Sequence, residues 1–375
     1  KKVPGYEYVS HISIHLKIQS TFSNTKKTNT NYGRISYAII NTISTMQKDL
    51  IKQMIDSALD GNGITRRQAL ELEFFSREEL DYLFEGTNRL RDRFKGDDVK
   101  ICSIVNAKAG KCEEDCGFCA QSSQFKTDSP EYGLLDVEKI VEAAKEAEAF
   151  GSNEFSIVTS GTALNRREEL DQVIAAIKRI KKETNLETCC SLGLMNLDDM
   201  RKLKAAGLDR CHHNLETAAS HFEKIVTTHN YEDELLAVKN AKEAGLQVCV
   251  GGVFGMGETF AQRVELAIDI RDLETQSFPI NFLKPLEGTV LENMELMELY
   301  EALRTIAMLR LILPTIDLFV CGGREEVFTN NQEQIFAAGA NGILGGNYLT
   351  TKGQDPKRDI DMIERIGLNP IYQSA

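Results

Sequence analysis

The sequence predicts an α/β fold, a (β/α)8 TIM-type barrel behind an N-terminal helical cap. Three observations lead to it. Short β-rich runs recur along most of the chain, amphipathic helical stretches separate them, and a charged helical segment precedes the first run.

Taken in order, residues 1–45 are rich in Ser, Thr, Asn, Lys and Ile, carry Glu7 as their one carboxylate and show no sustained period. They stand outside the fold as a disordered or artefactual upstream extension, since an organelle transit segment would carry more Arg than the single Arg34. Residues 46–97 form the cap, where Leu70, Leu72, Phe74 and Phe75, then Leu80, Leu83, Phe84 and Leu90, recur among charges at helical spacing. Residues 98–375 make the barrel and a C-terminal helical tail. Eight β-rich runs fall there, at 101–106, 154–159, 186–192, 209–214, 246–251, 279–284, 316–321 and 342–345. Helical stretches such as 136–150, 167–183, 232–244, 262–273 and 296–313 lie between them. A repeated βα order makes the sheet parallel and puts the active site at the C-terminal ends of the strands. A doubly wound open sheet is the alternative.

Composition narrows the function. A formal net charge of −12 argues against nucleic acid, which selects a clustered basic face. There is no long apolar run and no secretory leader pattern, so neither a membrane span nor export is expected, and the chain reads as cytoplasmic. Nine cysteines are an odd count for a disulfide framework and suit thiols kept for metal or catalysis.

Three of those thiols, Cys112, Cys116 and Cys119, stand in C-x3-C-x2-C spacing on the loop after the first run. Soft thiolates suit iron–sulfur clusters and zinc. Three of them can ligate three irons of a cubane and leave the fourth iron open to a chelating ligand such as the amino and carboxylate groups of S-adenosylmethionine. The competing reading is a zinc knuckle, which normally closes with a fourth Cys or His. None lies nearby in the sequence.

The stretch from Asn106 to Ser123, through its Gln-Ser-Ser ending, resembles the cluster-binding signature of the biotin synthase family, within the radical S-adenosylmethionine superfamily. The resemblance extends through residues 206–217, 248–259, 279–283, 323–325 and 349–351, each at an expected strand end. It implies conversion of dethiobiotin to biotin: reductive cleavage of S-adenosylmethionine at a [4Fe–4S] cluster gives a 5′-deoxyadenosyl radical, the radical takes hydrogen from the substrate, and an auxiliary cluster donates sulfur. It also implies a reducing protein such as flavodoxin or ferredoxin, and a homodimer.

By the same resemblance Phe118 stands where the family has an adenine contact, with loop packing as the plainer alternative. Val253 and Met256 would pack on the adenosine in a turn loosened by Gly255 and Gly257, and Glu216 takes the place of an Asp that meets the ribose. Asn214 and Asn281 would read the ureido ring, and Thr350 and Thr351 the carboxylate tail. Period 2 on the fourth strand separates His212, Asn214 and Glu216 from Cys211, His213 and Leu215, and the resemblance turns the first set to the lumen, which leaves Cys211 and His213 as core-side residues.

Two departures from the family pattern stand out. The usual [2Fe–2S] auxiliary cluster is held by three cysteines and an arginine, of which only Cys189 and Cys249 are matched here. Ser156 replaces the third cysteine and Phe319 the arginine. Cys321, two residues beyond Phe319, shares its face. Cys189, Cys249 and Cys321 therefore form a second trio, expected to hold a 4Fe-type auxiliary cluster with one iron free of protein thiolate, a [2Fe–2S] centre being the alternative. Cys190 should face away, and Cys102 reads as a buried strand thiol. The second departure is Glu234, which stands where many relatives have an arginine and is assigned no role. Arg324 is either a cation at the barrel mouth or a salt-bridge partner. The competing functions are another radical enzyme on this barrel, of the hydrogenase-maturation or methylornithine-synthase kind, and a non-catalytic iron–sulfur or zinc carrier.

Overall fold

The computed structural model describes residues 46–371 except Asn165 and Lys352, so the upstream extension expected at 1–45 lies outside the described residues. The chain divides into two compact units at Asp49 and Leu50. Of the first, residues 46–49 are described and helical. The second contains everything below.

Its chain opens with α1 (50–59), α2 (Arg66–Glu71) and α3 (Arg77–Lys95). Ser76 and Glu79 form a reciprocal capping box that starts α3, and Gly96, at φ 66°, ends it. Leu80, Leu83 and Leu90 then bury one face of α3 in the main core, together with Ile51 and Met54 of α1.

The strands are β1 (Asp98–Lys108), β2 (Glu154–Thr159), β3 (Glu187–Ser191), β4 (Arg210–His212), β5 (Gln247–Cys249), β6 (Gly252–Phe254), β7 (Ser277–Phe282), β8 (Asp317–Val320) and β9 (Gly342–Leu344). All neighbours run parallel, and pairing of β1 with β9 from Lys100↔Gly342 to Cys102↔Leu344 closes the barrel. β5 and β6 are two pieces of one barrel strand, both paired to β7. The expected continuous run 246–251 is broken because a Cβ on Gly251 would lie 2.0 Å from the carbonyl oxygen of Pro279, and one on Gly252 2.6 Å from that of Glu216. A last short strand, β10 (Asn369–Pro370), adds to the start of β1.

Helices α4 (Val137–Ala149), α5 (Arg167–Glu183), α6 (Leu197–Ala205), α7 (Tyr231–Glu243), α8 (Phe260–Asp272) and α9 (Leu299–Ile312) link successive strands. Side-chain alternation follows: on β1, Val99 and Ile101 enter the core beneath the helices, whereas Cys102 and Ile104 face the lumen. The N-terminal end of the barrel is closed by ion pairs. Asp317 accepts Lys95 at 2.8 Å and Lys100 at 2.9 Å, and Arg210 reaches Glu154 at 2.6 Å and Glu187 at 3.1 Å. Among the described residues no helix is long and apolar enough to cross a membrane.

Arg324 is a structural partner and not a cation at the mouth. It is 1% exposed and donates to both carboxylate oxygens of Asp359 at 2.8 and 3.1 Å, tying the start of the short helix Arg324–Phe328 to α10 (Pro356–Arg365). Asp359→Ala is expected to destabilise the fold by about 3–5 kcal/mol by stranding the buried guanidinium. A chemical-denaturation midpoint equal to that of the unaltered chain would count against this.

Candidate active site

A cavity of about 450 Å³ lies in the lumen, and both thiol trios line it. The first sits on the loop after β1. That loop is pinned on several sides: the Cys112 amide donates to the Gln121 carbonyl at 3.0 Å, the Ser123 amide to the Cys112 carbonyl at 2.8 Å, and the Gly117 amide to the Ile225 carbonyl at 2.9 Å. The Asp115 carboxylate accepts the Thr227 amide at 2.8 Å. Backbone on both sides of Cys116 is thus fixed against the segment before α7, which holds the three half-buried thiols over the cavity. Burial, then the neighbouring Glu216 and cysteines, pushes Cys116 well up; burial outweighs backbone hydrogen bonding to bring Cys119 to about 11. At neutral pH these are thiols, so ligation of iron expels their protons.

The second trio comes from three strands. Cys189 on β3, Cys249 at the end of β5 and Cys321 just past β8 are all buried and line the deeper cavity. Cys190 points instead into the core, beside Cys211 of β4. The ring of Phe319 covers Gly342, where a Cβ would lie 2.5 Å from the ring. Ser156 lines the cavity beside its register partner Cys189, and its hydroxyl has no hydrogen-bond partner. Among the described residues no three His, Cys, Asp or Glu side chains are gathered around a position for a single metal ion. The donors are spread along the wall of a roomy lumen. Thiol chemistry and that spread fit polynuclear clusters better than a zinc knuckle.

Asn214, Asn281, Phe118, Val253, Glu216, Thr350 and Thr351 also line this cavity. Asn281 is held by backbone, accepting from the Gly322 amide at 2.9 Å and donating to the Gly252 carbonyl at 3.2 Å. Asn214 is the less satisfied amide: it donates to Glu216 at 3.4 Å, and its Oδ1 is buried without a partner. Glu216 adopts φ 60°, unusual for a non-glycine residue, and its carbonyl accepts the Val253 amide at 2.7 Å. Burial and the charge of Glu234 raise its carboxyl to about 7.

The glycine turn departs from expectation. Gly255, Met256 and Gly257 do not reach the cavity wall. Met256 is buried in the core, and the amides of Gly255 and Met256 donate to the Glu258 carboxylate at 2.9 and 2.8 Å. Only Val253 of this turn lines the cavity. The core-side placing of His213 also needs correction. β4 ends at His212, so period 2 no longer governs the next residue, and His213 lines the cavity along with His212. Burial, then His213, lowers His212 to about 4, which keeps it neutral.

Glu234, left without a role by the sequence, lies between His213 and His229, bonding the Nε2 of each, the latter at 2.8 Å. His229 Nδ1 reaches Glu114 at 2.6 Å. Burial opposes charge on Glu234, but bonds from the two histidines outweigh it and bring the carboxyl to about 2. Burial likewise opposes charge on His229, and Glu234 and Glu114 raise it to about 9. A signal was present in the sequence: Glu234 falls on the apolar stripe Tyr231, Val238, Ala241 of α7, where a carboxylate requires partners.

The sign of the pH effect follows. A histidine whose pKa rises from 6.5 to about 9 on folding contributes stability that is full below 6.5 and is lost as pH climbs through 9. The melting temperature of the cluster-free protein should therefore fall over that window, and His229→Gln should flatten the slope. Equal slopes in the two proteins would refute the assignment.

The Radical SAM superfamily model matches residues 108–270, and the Biotin and Thiamin Synthesis associated domain matches residues 279–369. A "Biotin synthase" of Citrifermentans bemidjiense is 46% identical over 322 residues, covering 86% of this chain and 98% of the relative. The chain belongs to the biotin synthase family. A second such relative, from Geobacter sulfurreducens, is 45% identical over 317 residues, 84% of this chain and 96% of its own. A methylornithine synthase crystal structure superimposes with a TM-score of 0.74 at 22% identity, covering 85% of this chain and 97% of that one. The FeFe-hydrogenase maturase HydG from Carboxydothermus hydrogenoformans gives 0.73 at 16%, covering 89% and 82%. Both likenesses concern the barrel fold alone. Membership of the superfamily makes this chain a radical enzyme that uses a [4Fe–4S] cluster and S-adenosylmethionine.

Proposed function

We propose that this chain converts dethiobiotin to biotin by inserting sulfur. The observation that carries the reading is that two separate thiol trios line one cavity, with luminal amides in the same wall. Cys112, Cys116 and Cys119 would hold the [4Fe–4S] cluster, and Cys189, Cys249 and Cys321 an auxiliary cluster of 4Fe type. When bound, the first cluster and S-adenosylmethionine supply the radical that takes hydrogen from carbon, and the auxiliary cluster supplies sulfur.

The protein's part is position and dryness. The orphan Oδ1 of Asn214 is ready to accept a ureido N–H, and the hydroxyls of Thr350 and Thr351 suit a carboxylate tail. Glu216 can meet ribose hydroxyls in either protonation state, and Phe118 and Val253 offer apolar surface to the adenosine. Ile104, Val158, Leu283 and Leu344 line the same space and exclude water from a reactive radical. A flavodoxin or ferredoxin as reductant and a homodimeric assembly follow from the resemblance. Nine free cysteines support a reducing, cytoplasmic setting.

The test is to reconstitute the protein anaerobically and supply S-adenosylmethionine, reductant and dethiobiotin. Both 5′-deoxyadenosine and biotin are expected, whereas deoxyadenosine without biotin would overturn the substrate. Asn214→Leu should raise KM for dethiobiotin by the cost of one unmade buried hydrogen bond, about 1–3 kcal/mol or roughly 5- to 150-fold. An unchanged KM would remove Asn214 from the substrate site.

A further inference from the structure

We propose that Cys102 is a fourth thiolate ligand of the auxiliary cluster. The inference rests on the reading above that such a cluster forms on Cys189, Cys249 and Cys321. Cys102 lines the same cavity as those three, and packs with Cys321, Phe319 and Leu344 in a small cluster separate from the main core. β9 carries a single residue, Leu344, between them: Cys102 pairs with Leu344 on one side, and the β8–β9 register, Val320↔Ile343, brings Cys321 level with it on the other.

Barrel interiors fill in layers, four side chains from alternate strands, with the strand tilt advancing the level by one residue per strand. Counting round this barrel, Cys102 pairs with Glu154 and Glu154 with Glu187, and two residues on is Cys189. Cys189 pairs with Arg210 and Arg210 with Gln247, and two residues on is Cys249. Cys249 pairs with Ser277 and Ser277 with Asp317, and two residues on is Phe319. One layer is therefore Cys102, Cys189, Cys249 and Phe319. Cys321 follows Phe319 on the same strand, two layers nearer the mouth, because the layer between them comes from the other set of alternate strands. A cubane presents its four irons at the corners of a tetrahedron, so three thiols in a plane and one above it suit the cluster better than a flat ring of four.

One further observation indicates that the lumen here receives a group: the hydroxyl of Ser156, on a residue 4% exposed that lines the cavity, has no hydrogen-bond partner. With Cys102 as ligand the fourth iron is held by protein in the resting cluster, not left free of thiolate as the sequence suggests.

The test uses the full chain with Cys112, Cys116 and Cys119 replaced by Ala, so that only the auxiliary cluster can form. After anaerobic reconstitution this parent should hold about four irons and, on mild ferricyanide oxidation, keep them. Adding Cys102→Ala should leave one iron unanchored, so the same oxidation should remove about one iron in four and produce the S = 1/2 electron paramagnetic resonance signal of a three-iron cluster. Cys102→Ser, nearly isosteric, should behave the same way and serves if the Ala variant accumulates poorly. The proposal is overturned if the Cys102 variants match the parent in iron and spectrum, or if the parent itself yields the three-iron signal. A folded parent that binds no iron would overturn the auxiliary cluster, and this ligand with it.

Discussion

Replacing Cys189 and Cys249 together by Ala is expected to cut iron and acid-labile sulfide by about half and to abolish biotin formation, while cleavage of S-adenosylmethionine continues. The two residues stand on β3 and β5, which only β4 separates, so their loss leaves thiols only on the side of β1 and β8. Two thiols from one side cannot hold a cubane. The loop thiols are tied down by their own backbone bonds to Gln121 and Ile225, which the double change does not touch. Iron analysis together with chromatography of 5′-deoxyadenosine and biotin separates these effects. Biotin formation by the double variant would be incompatible with sulfur donation from this site.

The mirror result is expected for Cys116→Ala. Iron again falls by about half, but now deoxyadenosine release drops to background and biotin with it. Cys116 is the middle ligand of a loop that would otherwise offer two thiols, and its neighbours Asp115 and Gly117 are already engaged by Thr227 and Ile225. No nearby Cys or His can replace it: His229, the titratable ring beside this loop, has both nitrogens committed to Glu114 and Glu234. Mössbauer spectra should show the remaining auxiliary cluster unaltered. Retained deoxyadenosine release would show that the loop is not where S-adenosylmethionine is cleaved.

Much of the barrel was legible because strand and helix periods differ. The helix expected at 167–183 is observed with those bounds, and the eight expected runs correspond to the eight barrel strands. Misplacements occurred where chain left regular structure. His213 was sent to the core by a period that stops at His212, and Met256 was sent to the cavity by a turn whose amides are taken by Glu258. Glu234 had no role until two histidines, one on the chain after β4 and one before α7, were seen to flank it.

By itself the sequence determined the barrel and the first thiol trio, because hydrophobic period and a C-x3-C-x2-C loop are local properties that covalent spacing carries intact. Only the tertiary structure decided which of the remaining thiols share the lumen. That depends on strand register and tilt, which bring Cys102 level with Cys189 and Cys249 from distant parts of the chain and turn Cys190, next to Cys189, into the core.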